Sequence, residues 1–363
     1  MKKLKILLTL VFLWITSANA QYQKPYFNTL SVQDGLPEAY VRSKLEDANG
    51  YLWLGTQNGL VRYDGYKLKN YPFYDENNQR EAAPSINKII QDKKGTIWVF
   101  TSDSGFFYYE NKTDTFKNFS IDKNKYDTDE AKYTINAVDG LEEDVLLLLV
   151  YNHKEEKTQL FSLNTQNHSI VELSSVSEGK NTIPIKNPSQ LIKDKNDRIL
   201  LVADGKLYFY DEVNKSFSVA FTIPESLKNT QIVNCVVDPS DSALIWMSTY
   251  EGNSIEERGN PELVGKQFIK YNSNTKEYII FTPEKDNPET IPSKCLDIIS
   301  DSQNRLWFVS ENGISLYNNQ KNTFTYYEIS LDKDFGQDLR TIESDKEGNV
   351  WVGGVFKSYS TLI

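Results

Sequence analysis

One short pattern returns along the whole chain: an acidic residue, a few turn-forming residues, an apolar residue and then a tryptophan. The clearest copies are DANGYLW, DKKGTIW and DKEGNVW, which end at Trp53, Trp98 and Trp351. Weaker copies end at Trp246 and Trp307. A unit that recurs at a roughly constant interval predicts a fold built from packed copies of one supersecondary element.

The spacing of the copies indicates how many units the chain contains. Each tryptophan is followed by a Gly or polar residue, alternating apolar residues and an aromatic, as in residues 59–63. Two further units keep this arrangement with Leu147 and Leu200 in place of the tryptophan. The anchors then fall at positions 53, 98, 147, 200, 246, 307 and 351, at intervals of 44 to 61 residues. Intervals of this length are typical of propeller blades.

Each unit has the composition of four short β-strands. The second unit predicts strands over residues 86–91, 96–101, 105–110 and 115–119, separated by turn residues. β-Branched and aromatic residues dominate these segments, and no segment shows a long helical period. The predicted fold class is therefore all-β: a seven-bladed β-propeller of four-stranded antiparallel blades.

The turn chemistry gives the repeat a structural role. An Asp at the first turn position accepts hydrogen bonds from backbone N–H groups, and a Gly at the fourth position adopts a positive φ. The tryptophan is expected to bury its ring between neighbouring sheets, where truncation to alanine would cost roughly 3–5 kcal/mol. We therefore interpret the five tryptophans as core residues rather than as a sugar-stacking site.

Residues 1–20 have the pattern of a secretory signal peptide. Three lysines precede an apolar run over residues 6–15, and Ala18-Asn19-Ala20 is a small-residue cleavage sequence. The run is about half of the ~20 residues that span a bilayer, which disfavours a membrane anchor. Residues 21–363 are then the mature propeller, with no segment expected to insert into a membrane. The mature chain is expected in the periplasm, or alternatively secreted.

The N-terminal strand of the mature chain is expected to close the ring. Residues 26–30 resemble the fourth strand of a unit, and they precede the first complete unit. The last unit has a first strand, a second strand and a short remainder over residues 356–363. The prediction is that residues 26–32 complete the last blade, which would remove an exposed sheet edge.

Net charge and rare residue types disfavour several classes of function. Loss of the three lysines of the leader takes the formal net charge from −10 to −13, and such an acidic chain repels nucleic acid and anionic membranes. Two histidines, His153 and His168, are too few for most histidine-based metal or acid–base sites. Cys235 and Cys295 are expected to be buried thiols rather than a disulfide. No catalytic residue, metal or cofactor is predicted.

Two segments at the start of the mature chain resemble a known family. LSVQDGLP at residues 30–37 and WLGTQNGLVRYDG at residues 53–65 resemble the opening of the two-component regulator propellers. The resemblance implies a periplasmic sensor of a hybrid two-component system in a polysaccharide-degrading bacterium. It also implies a second propeller, an immunoglobulin-like domain, a transmembrane helix and a histidine kinase.

The chain departs from that family plan in its chemistry. Neither His153 nor His168 lies in a phosphoacceptor context, and no Gly-rich nucleotide motif occurs. The chain is therefore expected to lack the kinase part and to be either a truncated sensor or a stand-alone relative. The leading hypothesis is a non-enzymatic, extracytoplasmic ligand-sensing or scaffold propeller of a two-component system. Its expected ligand is an oligosaccharide, and its expected partner is a second propeller or a sensor kinase chain.

Long, aromatic-rich connections on one face of the propeller are the predicted binding surface. They cover residues 71–83, 120–133, 250–265 and 282–293. Within them, the side chains predicted to stack on or hydrogen-bond to a carbohydrate are Tyr74, Arg80, Tyr133 and Tyr250. Two alternatives stay open: a secreted propeller enzyme that acts on glycans in the manner of a sialidase or lyase, and a pure protein-interaction scaffold.

Overall fold

A computed structural model describes residues 30–362 apart from gaps, the longest of which cover residues 120–132, 252–263, 330–338 and 355–360. The predicted signal peptide lies outside the described residues. Within them the chain forms seven β-sheets in sequence order and two 3-10 helices, Val32–Asp34 and Glu225–Leu227. No helix in this part of the chain is long and apolar enough to cross a membrane.

The first three sheets are four-stranded antiparallel meanders in which each strand pairs with its sequence neighbours. Their second strands are almost entirely buried, because apolar residues, mainly Leu, Val, Ile, Trp and Phe, occupy both faces of these strands. The strands are β1 (Val41–Glu46), β2 (Leu52–Thr56), β3 (Gly59–Tyr63), β4 (Leu68–Tyr71), β5 (Ile86–Gln91), β6 (Ile97–Thr101), β7 (Phe106–Glu110), β8 (Thr115–Phe119), β9 (Tyr133–Asp139), β10 (Val145–Asn152), β11 (Lys157–Asn164) and β12 (Ile170–Glu172).

The fourth sheet has six strands because a hairpin is added to its outer edge. The hairpin consists of β13 (Ser175–Glu178) and β14 (Asn181–Pro184), and β13 runs parallel to the last strand of the sheet. Val176 of the hairpin is buried against the core between the third and fourth blades. The blade itself comprises β15 (Pro188–Lys193), β16 (Ile199–Ala203), β17 (Lys206–Asp211) and β18 (Ser216–Thr222).

The fifth and sixth sheets return to four strands, and the seventh has three. The strands are β19 (Thr230–Val237), β20 (Leu244–Glu251), β21 (Val264–Asn272), β22 (Tyr278–Phe281), β23 (Asp297–Ser300), β24 (Leu306–Ser310), β25 (Gly313–Asn318), β26 (Thr323–Glu328), β27 (Leu339–Ser344), β28 (Val350–Gly354) and β29 (Thr361–Leu362). The described residues therefore contain six complete four-stranded blades, one fewer than the seven predicted, because the seventh repeat forms a three-stranded sheet whose last strand has two residues.

The sheets are arranged around a common centre. The first strand of each sheet contacts the first strand of the next one, from β1 and β5 through to β23 and β27. First strands therefore lie innermost and last strands lie at the rim, which is the arrangement of a β-propeller. The all-β propeller with four-stranded antiparallel blades is confirmed.

The N-terminal segment differs from the predicted strand. Residues 26–29 lie outside the described residues, so completion of the last blade by this segment stays a prediction. The strand does not continue to residue 32, because Val32–Asp34 forms a 3-10 helix whose N-cap is Ser31. Leu30 and Trp351 both pack against the core of the first blade, which brings the seventh sheet next to the first.

The main apolar clusters lie between consecutive blades. Trp53 and Trp246 are fully buried, and Trp98 and Trp307 are 4% and 8% exposed. Trp53, for example, packs in one cluster with residues of the second blade, including Phe107. The prediction that these tryptophans are core residues between sheets is therefore confirmed for these four positions.

Candidate functional site

Strand order assigns the connections to two opposite faces of the ring. One face, here called the loop face, carries two kinds of connection. The first kind joins the fourth strand of a blade to the first strand of the following blade, and the second kind joins the second and third strands of one blade. The other, here called the turn face, carries the first-to-second and third-to-fourth connections. By this order, the residues predicted to bind a ligand lie at the loop-face end of their elements, on a surface suited to variable recognition.

Tyr74 and Arg80 are brought together in the connection between the first and second blades. They form an isolated antiparallel β-bridge, with Tyr74 half-buried and Arg80 exposed. The neighbouring Phe73 is 2% exposed and packs against Phe107 and Phe116 of the second blade, with ring centroids 4.7 and 5.5 Å apart. The buried Phe73 thus anchors the bridge to the second blade, and the bridge places the phenol of Tyr74 beside the guanidinium of Arg80.

The other two predicted residues lie on strands. Tyr133 is the first residue of β9 and pairs with Asn152 of β10. Tyr250 lies within β20, where it pairs with Gln231 and Val264, and its side chain is fully buried. The prediction that a loop begins at Tyr250 is wrong, because β20 continues to Glu251 and β21 begins at Val264 opposite Tyr250.

The Asp–turn–Trp motif forms a closed hydrogen-bonded unit on the turn face. Asp47 Oδ1 accepts from the backbone N–H groups of Asn49 and Tyr51 at 2.8 and 3.1 Å. Asp47 Oδ2 accepts from the indole Nε1–H of Trp53 at 2.8 Å. The backbone bonds follow from the turn chemistry, but the indole bond was not predicted. A constant spacing of six residues between Asp and Trp in the clearest copies is the signal for it.

The same unit recurs in three other blades, which shows that the motif is structural. The indole-to-carboxylate distances are 2.7 Å for Trp98–Asp92, 3.0 Å for Trp246–Asp238 and 2.7 Å for Trp307–Asp301. Burial opposes ionisation of Asp301, but its hydrogen bonds from Trp307 and Arg305 outweigh burial and lower its pKa. In the fourth blade, where Leu200 replaces the tryptophan, Asp194 Oδ2 accepts from Arg198 Nε at 2.8 Å instead.

A cation lies against the tryptophan of the first blade. Arg62 pairs across the sheet with Trp53, and its guanidinium carbon is 5.5 Å from that ring centroid and 4.3 Å from the centroid of Tyr51. Arg62 Nη1 is also 3.8 Å from a carboxylate oxygen of Asp114, which belongs to the second blade. The cation therefore joins two blades rather than facing a cleft.

Asp114 collects the remaining donors at this junction. It accepts from the hydroxyls of Tyr71 at 2.8 Å and Tyr109 at 2.5 Å, and from the ammonium of Lys69. Burial opposes its ionisation, but the hydrogen bonds from Lys69, Tyr109 and Tyr71 outweigh it and lower the pKa of Asp114 from 3.8 to about 2. Burial also raises the pKa of Tyr71 and of Tyr109.

The junction of the fifth and sixth blades repeats this arrangement with a lysine. Lys270 pairs with Trp246, and its ammonium is 5.2 Å from the ring centroids of Trp246 and Tyr317. It donates to the Tyr317 hydroxyl at 3.2 Å and to Asn319 Oδ1 at 3.3 Å. Burial lowers the pKa of Lys270. These perturbed groups serve blade packing, so their shifts do not mark a catalytic centre.

Polar side chains of the first strands also link neighbouring blades around the central axis. Each one bonds to a main-chain atom of the next blade's first strand. The links are Ser43 Oγ with Ile89 N at 2.8 Å, Asn136 Nδ2 with Leu191 O at 3.2 Å, and Gln190 Oε1 with Cys235 N at 2.9 Å. Sequence reasoning missed these links because their residue types differ from one blade to the next.

The described residues meet the requirements of neither a metal site nor a reactive thiol. Among the described residues, no group of three or more His, Cys, Asp or Glu side chains is placed to hold a metal ion. Cys235 and Cys295 are both buried and do not form a disulfide with each other, as the sequence favoured. Burial raises the pKa of the Cys235 thiol, which keeps it protonated and unreactive.

Sequence comparison finds one local similarity, to a histidine kinase. No protein-family model matches the sequence. A segment of 88 residues is 32% identical to histidine kinase P4 of Formosa agariphila, and the match covers 23% of this chain and 6% of that protein.

Structure comparison finds propellers of the same fold. The extracellular domains of two B. thetaiotaomicron proteins, assigned as a one-component and a hybrid two-component system, each align with a TM-score of 0.64 and 19% identity. The alignments cover 94% and 93% of this chain, and 40% and 42% of theirs. YCF48 from Cyanidioschyzon merolae aligns with a TM-score of 0.58 and 11% identity. The chain spans about two fifths of the extracellular sensor domains that it matches, and over that length it has their propeller fold.

Proposed function

We propose that this chain is the extracytoplasmic, ligand-sensing propeller of a two-component regulatory system, and that its ligand is a carbohydrate. The observation that carries the proposal is the fold shared with the extracellular domain of a hybrid two-component system over 93% of the chain. The local identity with histidine kinase P4 supports the same assignment. In this proposal the mature chain works in the periplasm, or as a secreted protein, and signals through a second propeller or a sensor kinase chain.

The ligand site of this proposal is the loop-face surface around the Tyr74–Arg80 bridge. A tyrosine ring offers a flat apolar face to a sugar, and an arginine offers several N–H donors to its hydroxyl groups. Tyr74 and Arg80 face each other across an antiparallel β-bridge, and Arg80 is exposed. Tyr133, the first residue of the third blade's first strand, is a further proposed contact because it lies at the loop-face end of that strand. Tyr250 is omitted because it is buried.

Calorimetric titration of the mature chain with oligosaccharides from laminarin, alginate, xylan and arabinan tests this function. We expect one of these classes to bind, and we expect Tyr74→Ala and Arg80→Ala each to weaken that binding by about tenfold through loss of one ring contact or one charged hydrogen bond. Tyr66→Ala is the matched control, because Tyr66 is 93% exposed and belongs to a turn-face connection of the same first blade.

Two outcomes would redirect the assignment. Binding that survives loss of both Tyr74 and Arg80 would move the site away from the bridge. Release of reducing or unsaturated sugar ends from the bound oligosaccharide would instead favour the alternative of a secreted glycan-acting enzyme, and a catalytic residue would then have to be sought on the loop face.

A protein-interaction scaffold is the second candidate function. It is favoured by the outer strand of the fifth blade, β22, where Tyr278 and Ile279 are 43% and 56% exposed. An exposed apolar residue on an unpaired strand edge suits pairing with another protein chain. A pure scaffold predicts that Ile279→Lys weakens association with the partner propeller or kinase chain and that none of the oligosaccharides binds.

A further inference from the structure

A cavity of about 280 Å³ lies on the turn face between the third and fourth blades. Its walls include Gly140, Leu147, Ser162 and Tyr210. These residues come from two neighbouring blades, so the cavity occupies the same kind of inter-blade junction that Trp53 and Trp246 fill elsewhere in the ring.

The first blade shows what such a junction normally contains. The turn begins at Asp47, whose N–H donates to Tyr51 O at 3.0 Å. Two residues after Tyr51 comes Trp53, which receives Arg62 as its cross-strand neighbour. The junction thus holds an indole that contacts a carboxylate on one side and a cation on another.

The third blade has smaller residues at each of these three positions. Its turn begins at Gly140, whose N–H donates to Val145 O at 2.7 Å. Two residues after Val145 comes Leu147, and its cross-strand neighbour is Ser162. Strand register therefore places glycine for the aspartate, leucine for the tryptophan and serine for the arginine, and all three replacements line the cavity.

The fourth strand of the third blade also carries an apolar residue where the first blade has a cation. In the first blade Arg62 pairs with Lys69, whereas in the third blade Ser162 pairs with Val171, which also lines the cavity. A polar, charged junction has become an apolar one. The 280 Å³ cavity is thus the space left by an indole and by two cationic side chains.

The aromatic partner of the missing indole is still present. Tyr109 pairs with Phe116 in the second blade and lies edge-on to Trp53, with centroids 5.2 Å apart and planes at 65°. Tyr317 stands in the same relation to Trp246, at 4.7 Å and 69°. Tyr210 pairs with Phe217 in the fourth blade and is the corresponding residue, and it lines the cavity.

We propose that this cavity binds a small molecule with an indole-sized aromatic ring, which takes the position of the missing tryptophan side chain and packs edge-on against Tyr210. Apolar cavities in proteins can bind small aromatic molecules, and most of the residues that line this one are apolar. The lining includes the carboxylate of Glu142, so an amine substituent on the ring is favoured over a carboxylate. The site is separate from the loop-face surface around Tyr74 and Arg80.

Calorimetry and saturation-transfer NMR on the mature chain with indole, tryptamine and indole-3-acetate test the proposal. We expect saturable binding at one site, with tryptamine bound about tenfold more tightly than indole-3-acetate because the charge of the substituent is reversed near Glu142. Leu147→Trp is expected to abolish binding of all three, because its own indole fills the cavity. Tyr210→Leu is expected to weaken binding by about tenfold.

Two variants keep the test decisive. Ser162→Phe fills the same cavity from the neighbouring strand and replaces Leu147→Trp if that variant does not fold. Tyr66→Ala, on an exposed residue of the first blade, should bind the three probes as the unaltered chain does. No saturable binding of any probe, or undiminished binding to the filled variants, would overturn the proposal. Oligosaccharide binding by Leu147→Trp should be unchanged, so this result is independent of the proposed sensor function.

Discussion

The ring of Tyr63 in the first blade lies edge-on to the indole of Trp351 in the seventh sheet, with centroids 6.4 Å apart and planes at 75°. Both residues pack against the core of the first blade, together with Leu30 and Leu68. The contact joins the beginning and the end of the repeat array, so the stability of the whole ring should depend on it.

Truncation of Trp351 tests this dependence. Trp351→Ala should lower the free energy of unfolding by about 2 kcal/mol, below the roughly 3–5 kcal/mol of a fully buried aromatic, because Trp351 is half-buried. Urea denaturation followed by circular dichroism measures the loss. Tyr66→Ala, which alters a 93% exposed side chain, should leave the free energy within about 0.5 kcal/mol. Equal stabilities of the two variants would mean that the ring is not closed through this contact.

The Asp47 carboxylate is expected to be the main polar contribution to its turn. Asp47→Ala removes the acceptor of three hydrogen bonds and leaves the buried Trp53 N–H without its partner, at a cost of about 3 kcal/mol. Asp47→Asn keeps one acceptor oxygen and should cost about 1 kcal/mol. A double-mutant cycle with Trp53→Phe isolates the indole bond, and a coupling energy near zero would contradict its importance.

The junction carboxylate Asp114 should make stability depend on acid pH. Its pKa in the folded chain is about 2, below the ordinary value of 3.8. A carboxyl group with a depressed folded pKa contributes stability that is complete above the unfolded pKa and is lost as pH falls through the folded pKa. The contribution of Asp114 should therefore decline as pH falls from 3.8 to about 2.

Urea denaturation of the unaltered chain and of Asp114→Asn across this pH range measures the effect. The stability difference between them should be largest above pH 3.8 and should shrink towards pH 2. The side chain of Asp114 is 41% exposed, so added salt should also reduce the difference. A difference that is constant with pH would show that the carboxylate is not stabilised by its neighbours.

Restoring tryptophan should have opposite effects in the two blades that lack it. Leu147→Trp fills the cavity of the third junction and should raise the free energy of unfolding by about 1 kcal/mol. Leu200→Trp should lower it by about 2 kcal/mol, since Leu200 is fully buried and Arg198 already satisfies the carboxylate of its turn. Urea midpoints of the two variants give the comparison. Destabilisation of both would mean that the third junction cannot accept an indole.

Local patterns predicted the repeat unit well, because its determinants lie close together in sequence. The Asp47 turn and the burial of Trp53 follow from seven consecutive residues, and the copies that end at Trp98 and Trp307 have the same span. In the copy that ends at Trp246 the aspartate lies eight residues earlier and still accepts from the indole. The sequence did not predict the hairpin of Ser175–Glu178 and Asn181–Pro184, because it is an insertion that the other repeats lack. Its apolar residues Val176 and Ile183 pack against the core between the third and fourth blades.

Features that depend on tertiary register could not be predicted in the same way. The sequence predicts a loop from Tyr250 onward, but the pairing of β20 and β21 passes an irregularity in register after Ser248 and includes Tyr250 itself. Leu147 was recognised as the replacement for a tryptophan. That serine replaces the arginine partner of the tryptophan follows only from the pairing of Leu147 with Ser162, because these residues lie 15 positions apart in sequence.

The links between first strands have a consequence for how such rings diverge. Ser43, Asn136 and Gln190 each bond to a main-chain atom of the following blade. A main-chain carbonyl is supplied by any residue and a main-chain N–H by any residue except proline, so the following blade need not keep particular side chains to stay in place. The position of one blade relative to the next therefore does not depend on which side chains the following blade carries. A blade can lose its tryptophan and open a cavity, as the third has done, while the circle around it keeps its spacing.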